Sequence, residues 1–179
     1  SSSAHADSVL AAIETGEPYP IRMVWMTSTN PIANMGADAP RLYRALKTID
    51  FVVVHDLFMT PSSVAFSDLL LPAVMSPPRN SHRCWWVPNR IMTKVTQYEE
   101  AVPDDVLVTM VGKRLHPENF PWADDDDNIG WIEHIWAHET NDKLPYKTFE
   151  EAKKINWAYP EFQYDKYEKG RLRPDGKPG

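Results

Sequence analysis

The stretch 49–73, IDFVVVHDLFMTPSSVAFSDLLLPA, constrains the fold more than any other part of the chain. Phe51 to Val54 is an unbroken apolar run rich in β-branched valine, as in a strand buried on both faces. The run stops at His55-Asp56, which places a charged side chain at the strand's carboxyl end. Thr60-Pro61 has the form of a helix start, with threonine as N-cap and proline at the first helical position. Leu69 to Leu71 is a second short apolar strand, closed by Pro72. An acid, a threonine hydroxyl and a helix start therefore follow one strand end. In open α/β sheets, ligands bind at such an edge, where helix N-termini face anions.

The preceding chain supplies the neighbouring strand. Ile21 to Met26 reads as a strand, and Asp38 to Thr48 as a helix with Asp38 or Ala39 capping and Pro40 in the first turn. Leu42, Tyr43, Leu46 and Ile49 give that helix one apolar face. A strand–helix–strand unit forces parallel pairing with a right-handed crossover. The three strands are thus expected side by side, the first two parallel. Asp7 to Thr15 reads as a short helix capped by Asp7 and ended by Gly16. Downstream, Cys84 to Val87 and Arg90 to Val95 suggest short strands, and Asp104 an N-cap for a helix to about Leu115. Asp124 to Asp127 begins a further helix with Ile129, Ile132, Ile135 and Trp136 inward. Thr148 and Glu151 fit a capping box. The expected fold is α/β: a short, mainly parallel Rossmann-like sheet with flanking helices over 1–147, then a short helix and linker over 148–179.

Composition narrows the function. The 179 residues suffice for a domain with a core. A net charge of −6 disfavours nucleic acid as a partner, since phosphate binding needs a basic surface. No apolar run approaches the ~20 residues of a membrane span. The single cysteine, Cys84, excludes an internal disulfide or an all-cysteine metal cage, and leaves the compartment open.

Val53, Val54, Asp56, Phe58, Thr60, Ser67, Asp68, Leu71 and Pro72 form the pattern V-V-x-D-x-F-x-T-x-x-x-x-x-[AS]-D-x-x-L-P. The pattern resembles the molybdopterin oxidoreductases of the dimethyl sulfoxide reductase type. Ser28-Thr29-Asn30-Pro31 resembles that family's S-N-P loop, and the likeness runs from about Tyr19 to Leu115. It implies an incomplete dinucleotide-binding domain, without the family's N-terminal cluster and metal-ligand region or its C-terminal barrel. It further implies that the full enzyme carries a bis-molybdopterin guanine dinucleotide, of which this part holds one guanosine end. The part alone would be neither loaded nor catalytic. Its partners would be the rest of its own chain and an iron–sulfur electron-transfer subunit, with an open sheet edge free to self-pair.

The resemblance assigns cofactor contacts to Thr29, Asn30, His55, Asp56, Thr60, Arg79 and Asp104. The Asp56 carboxylate would accept from guanine or ribose, although at a strand end it could equally cap the next loop. The Asn30 amide suits a phosphate or a base edge, but Asn-Pro is also a turn signal. Thr29 and His55 flank matched positions and would contribute backbone groups. Thr60 can cap its helix and still reach a ligand. Arg79 can clamp phosphate, where the family often carries Glu-x-Gly instead of Pro78-Arg79-Asn80-Ser81, or sit in solvent. Asp104 is a ligand contact or a plain helix N-cap, and Asp68 bonds backbone N–H groups ahead of its strand.

Other features carry less. Asp124 to Asp127 lacks the alternating spacing of a calcium loop. His134 and His138 lack the intervening glutamate of a metalloprotease helix. Cys84 reads as a packed thiol. The competing reading is a non-catalytic α/β interaction module anchored by Trp157, Tyr159, Phe162, Tyr164 and Tyr167.

Overall fold

The structure, a computed structural model, describes residues 5–34, 38–75, 77–83, 89–97, 100–122, 127–140, 144–155 and 157–158. The expected strand at Cys84–Val87, the acids 124–126 and the aromatic anchors from Tyr159 onward lie outside the described residues.

The order is α1 (Ala6–Thr15), β1 (Met23–Thr27), α2 (Pro31–Asn34), α3 (Ala39–Leu46), β2 (Phe51–Asp56), α4 (Pro61–Phe66) and β3 (Leu69–Pro72). There follow β4 (Ser81–Arg83), β5 (Asn89–Met92), α5 (Asp104–Leu115), α6 (Ile129–Ile135), α7 (Phe149–Ile155) and β6 (Trp157–Ala158). The first three strands form one parallel sheet, β1-β2-β3, as their apolar runs predict. Strand β2 runs two residues further than its apolar run, because His55 and Asp56 still pair with Leu71 and Pro72. Strand β1 begins two residues later than expected and ends one later, and so reaches Thr27 opposite His55.

Alternation along the strands separates two faces. Val24, Met26, Val52, Val54 and Leu70 pack with Leu10, Leu42, Ala45, Leu46, Ile49 and Phe66, which makes one core under α1, α3 and α4. Trp25, Val53, His55 and Leu71 point to the other face. At its amino end Met23, Phe51 and Leu69 are 41–48 % exposed. The sheet is therefore covered fully on one side and in part on the other, a small incomplete αβα layer.

Local chemistry sets the ends of the elements. Helix α1 is capped by His5 rather than Asp7: the His5 ring accepts from the Asp7 N–H, two residues ahead of the expected cap. Gly16, at φ 76, takes the left-handed C-cap that L side chains avoid. Asp38 caps α3 by accepting from Arg41 N–H at 3.0 Å. Asp68 also bonds backbone, but across the sheet. Its Oδ2 accepts from Val52 N–H at 2.7 Å while its own N–H donates to Val52 O at 2.9 Å. The pairing of β2 with β3 starts one residue later, at Val53, so Asp68 supplies the rung that the ladder lacks.

The second half builds its own core. Strands β4, β5 and β6 make a small antiparallel sheet. Ile91, Ile132, Trp136, Leu144, Tyr146, Phe149 and Ala152 form a cluster beside it. Helix α6 starts later than the acidic run suggested: Asn128, in the left-handed region at φ 53, precedes Ile129. Asp127 pairs instead with Lys94 at 2.7 Å. The capping box of α7 forms as expected, Glu151 N–H donating to Thr148 Oγ1 and Thr148 N–H to Glu151 Oε2, both at 3.2 Å. The N–H groups of Lys147 and Thr148 hold the Glu151 carboxyl below its ordinary range. Among the described residues no helix is long and apolar enough to cross a membrane.

Val53 is 3 % exposed at the centre of the parallel sheet. Val53→Asp would bury an unpaired charge there, at a cost of several kcal/mol against a total stability of roughly 5–15. The variant should lack a cooperative thermal transition by circular dichroism.

Candidate functional site

The three parallel strands end level with one another, so the segments that follow them share one edge. After β1 the chain turns through Ser28, at φ 50, whose N–H donates to His55 O at 3.3 Å. Thr29 and Asn30 follow, both half-buried. The Asn30 carbonyl accepts from the N–H groups of Ala33 and Asn34, so Asn30 opens the single turn α2. The turn reading of Asn30-Pro31 therefore holds, and it leaves the Asn30 side chain for other work.

That side chain reaches the first turn of α4. Ser62 Oγ donates to Asn30 Oδ1 at 2.6 Å and accepts from Ile32 N–H at 3.0 Å. Ser62 is 1 % exposed, and its hydroxyl ties the loop after β1 to the helix after β2. Thr60 caps α4, accepting from Ser63 N–H at 3.1 Å with the two hydroxyls 2.8 Å apart. Pro61 fills the first helical position. Asp56 Oδ1 accepts from Phe58 N–H at 3.2 Å and so shapes the loop into α4, while Oδ2 has no partner among the described residues. Asn30, Thr60 and Asp56 thus belong to one edge, but the direct tie runs through Ser62. Sequence reasoning passed over Ser62. Its signal was a small hydroxyl residue in the first turn of a helix that faces a loop.

The other candidates gather on the opposite face. His55 follows the alternation away from Asp56 and is 1 % exposed. Its Nε2 lies 3.0 Å from Val102 O, and its Nδ1 lies 3.0 Å from Asp104 Oδ1. A carbonyl can only accept, so Nε2 carries the proton. Asp104 Oδ1 has no hydrogen-bond partner among the described residues, so it meets the ring as a close polar contact. Arg79 Nη1 donates to Asp104 Oδ2 at 3.3 Å, and the buried Arg79 Nε has no partner among the described residues.

Two expectations change here. His55 does contribute a backbone carbonyl, to Ser28, but its ring is also a structural link to the segment before α5. Asp104 is the first residue of α5 and Pro103 occupies its N-cap, with no side-chain cap bond. Its carboxylate is drawn to His55 and Arg79 instead. Val102, which pairs in parallel with Ala73, delivers it to the sheet edge. No group of three or more His, Cys, Asp or Glu side chains suited to a metal occurs among the described residues.

No family model matches the chain. It is 28 % identical over 152 residues to the dopamine dehydroxylase of Eggerthella lenta, matching 79 % of this chain and 14 % of that protein. It is 28 % identical over 138 residues to the nitrate reductase of Shewanella frigidimarina, matching 73 % of this chain and 14 % of that protein. The chain thus spans about one seventh of the length of these curated relatives. The acetylene hydratase from Pelobacter acetylenicus superposes with a TM-score of 0.71 at 21 % identity, over 96 % of this chain and 23 % of that one. That likeness is one of fold.

Ser62→Ala removes the tie between the two loops and leaves Asn30 Oδ1 and Ile32 N–H without it. Loss of the partner of such half-buried groups costs about 1–3 kcal/mol. Urea unfolding of the variant should show a lower midpoint with an unchanged slope.

Proposed function

We propose that this chain is one part of a molybdenum-dependent oxidoreductase, and that the carboxyl edge of its parallel sheet binds one guanosine end of a bis-molybdopterin guanine dinucleotide. The named relatives support the coarse form of this reading, a molybdoenzyme-like family, through the dehydroxylase and the nitrate reductase. The dinucleotide form, a place among enzymes of the dimethyl sulfoxide reductase type and the other subunits belong to the proposal.

The observation that carries it is the tie of Asn30 to the first turn of α4 by Ser62, beside Asp56. With Oδ1 engaged by Ser62, the Asn30 amide has its Nδ2 as a donor for a phosphate or base edge. Asp56 Oδ2 is an acceptor for the N–H groups of guanine or a ribose hydroxyl. Thr29 and Thr60 add hydroxyls. This mix of one carboxylate, one amide and hydroxyls fits a nucleotide better than a bare metal ion, whose ligand cluster the described residues lack.

When bound, the group would supply two-electron redox chemistry at its metal. The residues of this chain would bind and orient it. Asp56 and Asn30 would fix the base and its linkage, and the His55–Asp104–Arg79 group would brace the same edge from behind, with Arg79 able to turn to a phosphate. No acid, base or metal ligand of the reaction is assigned to this chain, which would not turn over alone. Residues 1–147 would form the binding domain, and 148–179 would lead toward further chain. The remainder of the same enzyme and an iron–sulfur subunit would be its partners.

Asp56→Ala in the full-length enzyme tests the assignment. Loss of a charge-assisted bond to a buried nucleotide costs ~1.5–3 kcal/mol, about ten- to a hundredfold in affinity. Molybdenum content and released guanine nucleotide should fall together while the fold persists. Full cofactor loading in that variant would overturn the role of Asp56.

A further inference from the structure

Helix α6 changes pitch at its carboxyl end. Beyond Ile135 the chain continues as a π-helical turn over Trp136–Thr140. Such turns are rare and frequently lie at functional sites. His134 precedes this one and His138 belongs to it. Residues four apart on a helix share a face. The two imidazole rings meet there, with centroids 4.0 Å apart and planes 30° from parallel.

Hydrogen bonding sets the state of one ring. His138 Nδ1 lies 2.8 Å from the His134 carbonyl. A carbonyl only accepts, so Nδ1 carries the proton and Nε2 keeps its lone pair. Metal-bound histidines are held in this way: the second ring nitrogen donates to a carbonyl or carboxylate, which fixes tautomer and orientation. His138 is exposed, so an ion in solvent has access to it. The His134 ring makes no hydrogen bond among the described residues, and packing orients it instead. It lies 4.9 Å from the Trp122 ring and nearly parallel to the Trp131 ring, 6.4 Å away. One imidazole is thus held by indoles, its neighbour by a backbone bond, and both keep nitrogen for a ligand.

Imidazole nitrogen suits zinc, copper and nickel, whereas calcium and magnesium take oxygen. Two nitrogens on one tetrahedral zinc ion lie ~3.3 Å apart at bonds of about 2.0–2.1 Å. Rings with centroids 4.0 Å apart are within that reach. A turn of the exposed His138 ring about its hydrogen bond brings the two lone pairs to one ion.

We propose that His134 and His138 form a two-histidine site for a divalent ion of the zinc, nickel or copper class, with water completing the shell. Two protein ligands mark an exchangeable ion, since closed structural sites use four. The proposal is independent of the cofactor reading, since no residue of the sheet edge takes part.

The test is calorimetric titration of the full 179-residue chain with zinc chloride, with the histidine ring nitrogens followed by NMR. One ion per chain should saturate, and the ring nitrogens of His134 and His138 should shift together. Loss of an outer-shell partner alone costs about 10–100-fold in metal affinity, so His138→Gln and His134→Gln should each weaken zinc by at least about tenfold. His116→Gln, which removes an exposed ring 3.3 Å from Glu118, should leave zinc binding unchanged. Should His134→Gln fail to fold, His138→Gln decides, because its side chain is exposed. Absence of saturation by the folded wild-type chain overturns the proposal. So does unchanged affinity in folded His138→Gln, or saturation that leaves the two rings' nitrogens unshifted.

Discussion

The edge of the parallel sheet depends on the register of β2 between its two neighbours. Met26 lies opposite Val54 and Thr27 opposite His55 on one side, and Asp56 lies opposite Pro72 on the other. All three strands stop within a residue or two of this line. The loops that follow therefore leave the sheet at one level, which lets Ser62 reach Asn30 from 32 residues away. A slip of one residue would turn Val52 and Val54 away from the core and His55 into it. The aliphatic face under α1 and α3 and the polar ties at the edge thus specify the same register.

The neighbours His55 and Asp56 show how a strand end divides its work. Pleating sends one side chain to each face. Asp56 shapes the loop into α4 with one oxygen and keeps the other in hand. His55, fully buried, ties the strand to Val102 and Asp104 and thereby fixes where α5 begins. One residue shapes the loop beyond the sheet edge, and its neighbour serves the wall behind it.

What was legible in the sequence was local. The valines of β2, the Thr60-Pro61 start of α4, Gly16 as a C-cap and the Thr148/Glu151 capping box each declare themselves within a few residues. The parallel order of β1, β2 and β3 follows from one helix between apolar runs. The cap of α1 and the start of α6 were misplaced by a few residues within their own neighbourhoods, and the misses that bear on the site were at long range. Asp104 looks like a cap because helices begin with acids, but its partners lie 49 and 25 residues back, at His55 and Arg79. Asp68 was read as a structural residue bonding backbone N–H groups ahead of β3, and it does so, although the N–H it takes, that of Val52, lies 16 residues back. The small antiparallel sheet was half visible, because its short strands carry little alternation and its third member comes from after α7. Ser62 showed only as a small hydroxyl residue in a first helical turn, since nothing in a serine's neighbours tells which loop it will face.

Asn80 carries a further consequence. It is 5 % exposed, and its Oδ1 accepts from Lys94 N–H, its Nδ2 donates to Asp127 O and its carbonyl accepts from Asn128. Three segments that begin the second half of the chain thus converge on one residue, a short step beyond β3 of the first. Asn128 passes the connection to Asp105, and α5 starts from the segment that His55 anchors. Opening either hydrophobic cluster strips polar groups from this chain of bonds and leaves them buried without partners. The penalty couples the two clusters, so that they melt as one cooperative unit and heat should find a single transition although the described residues form two separate clusters.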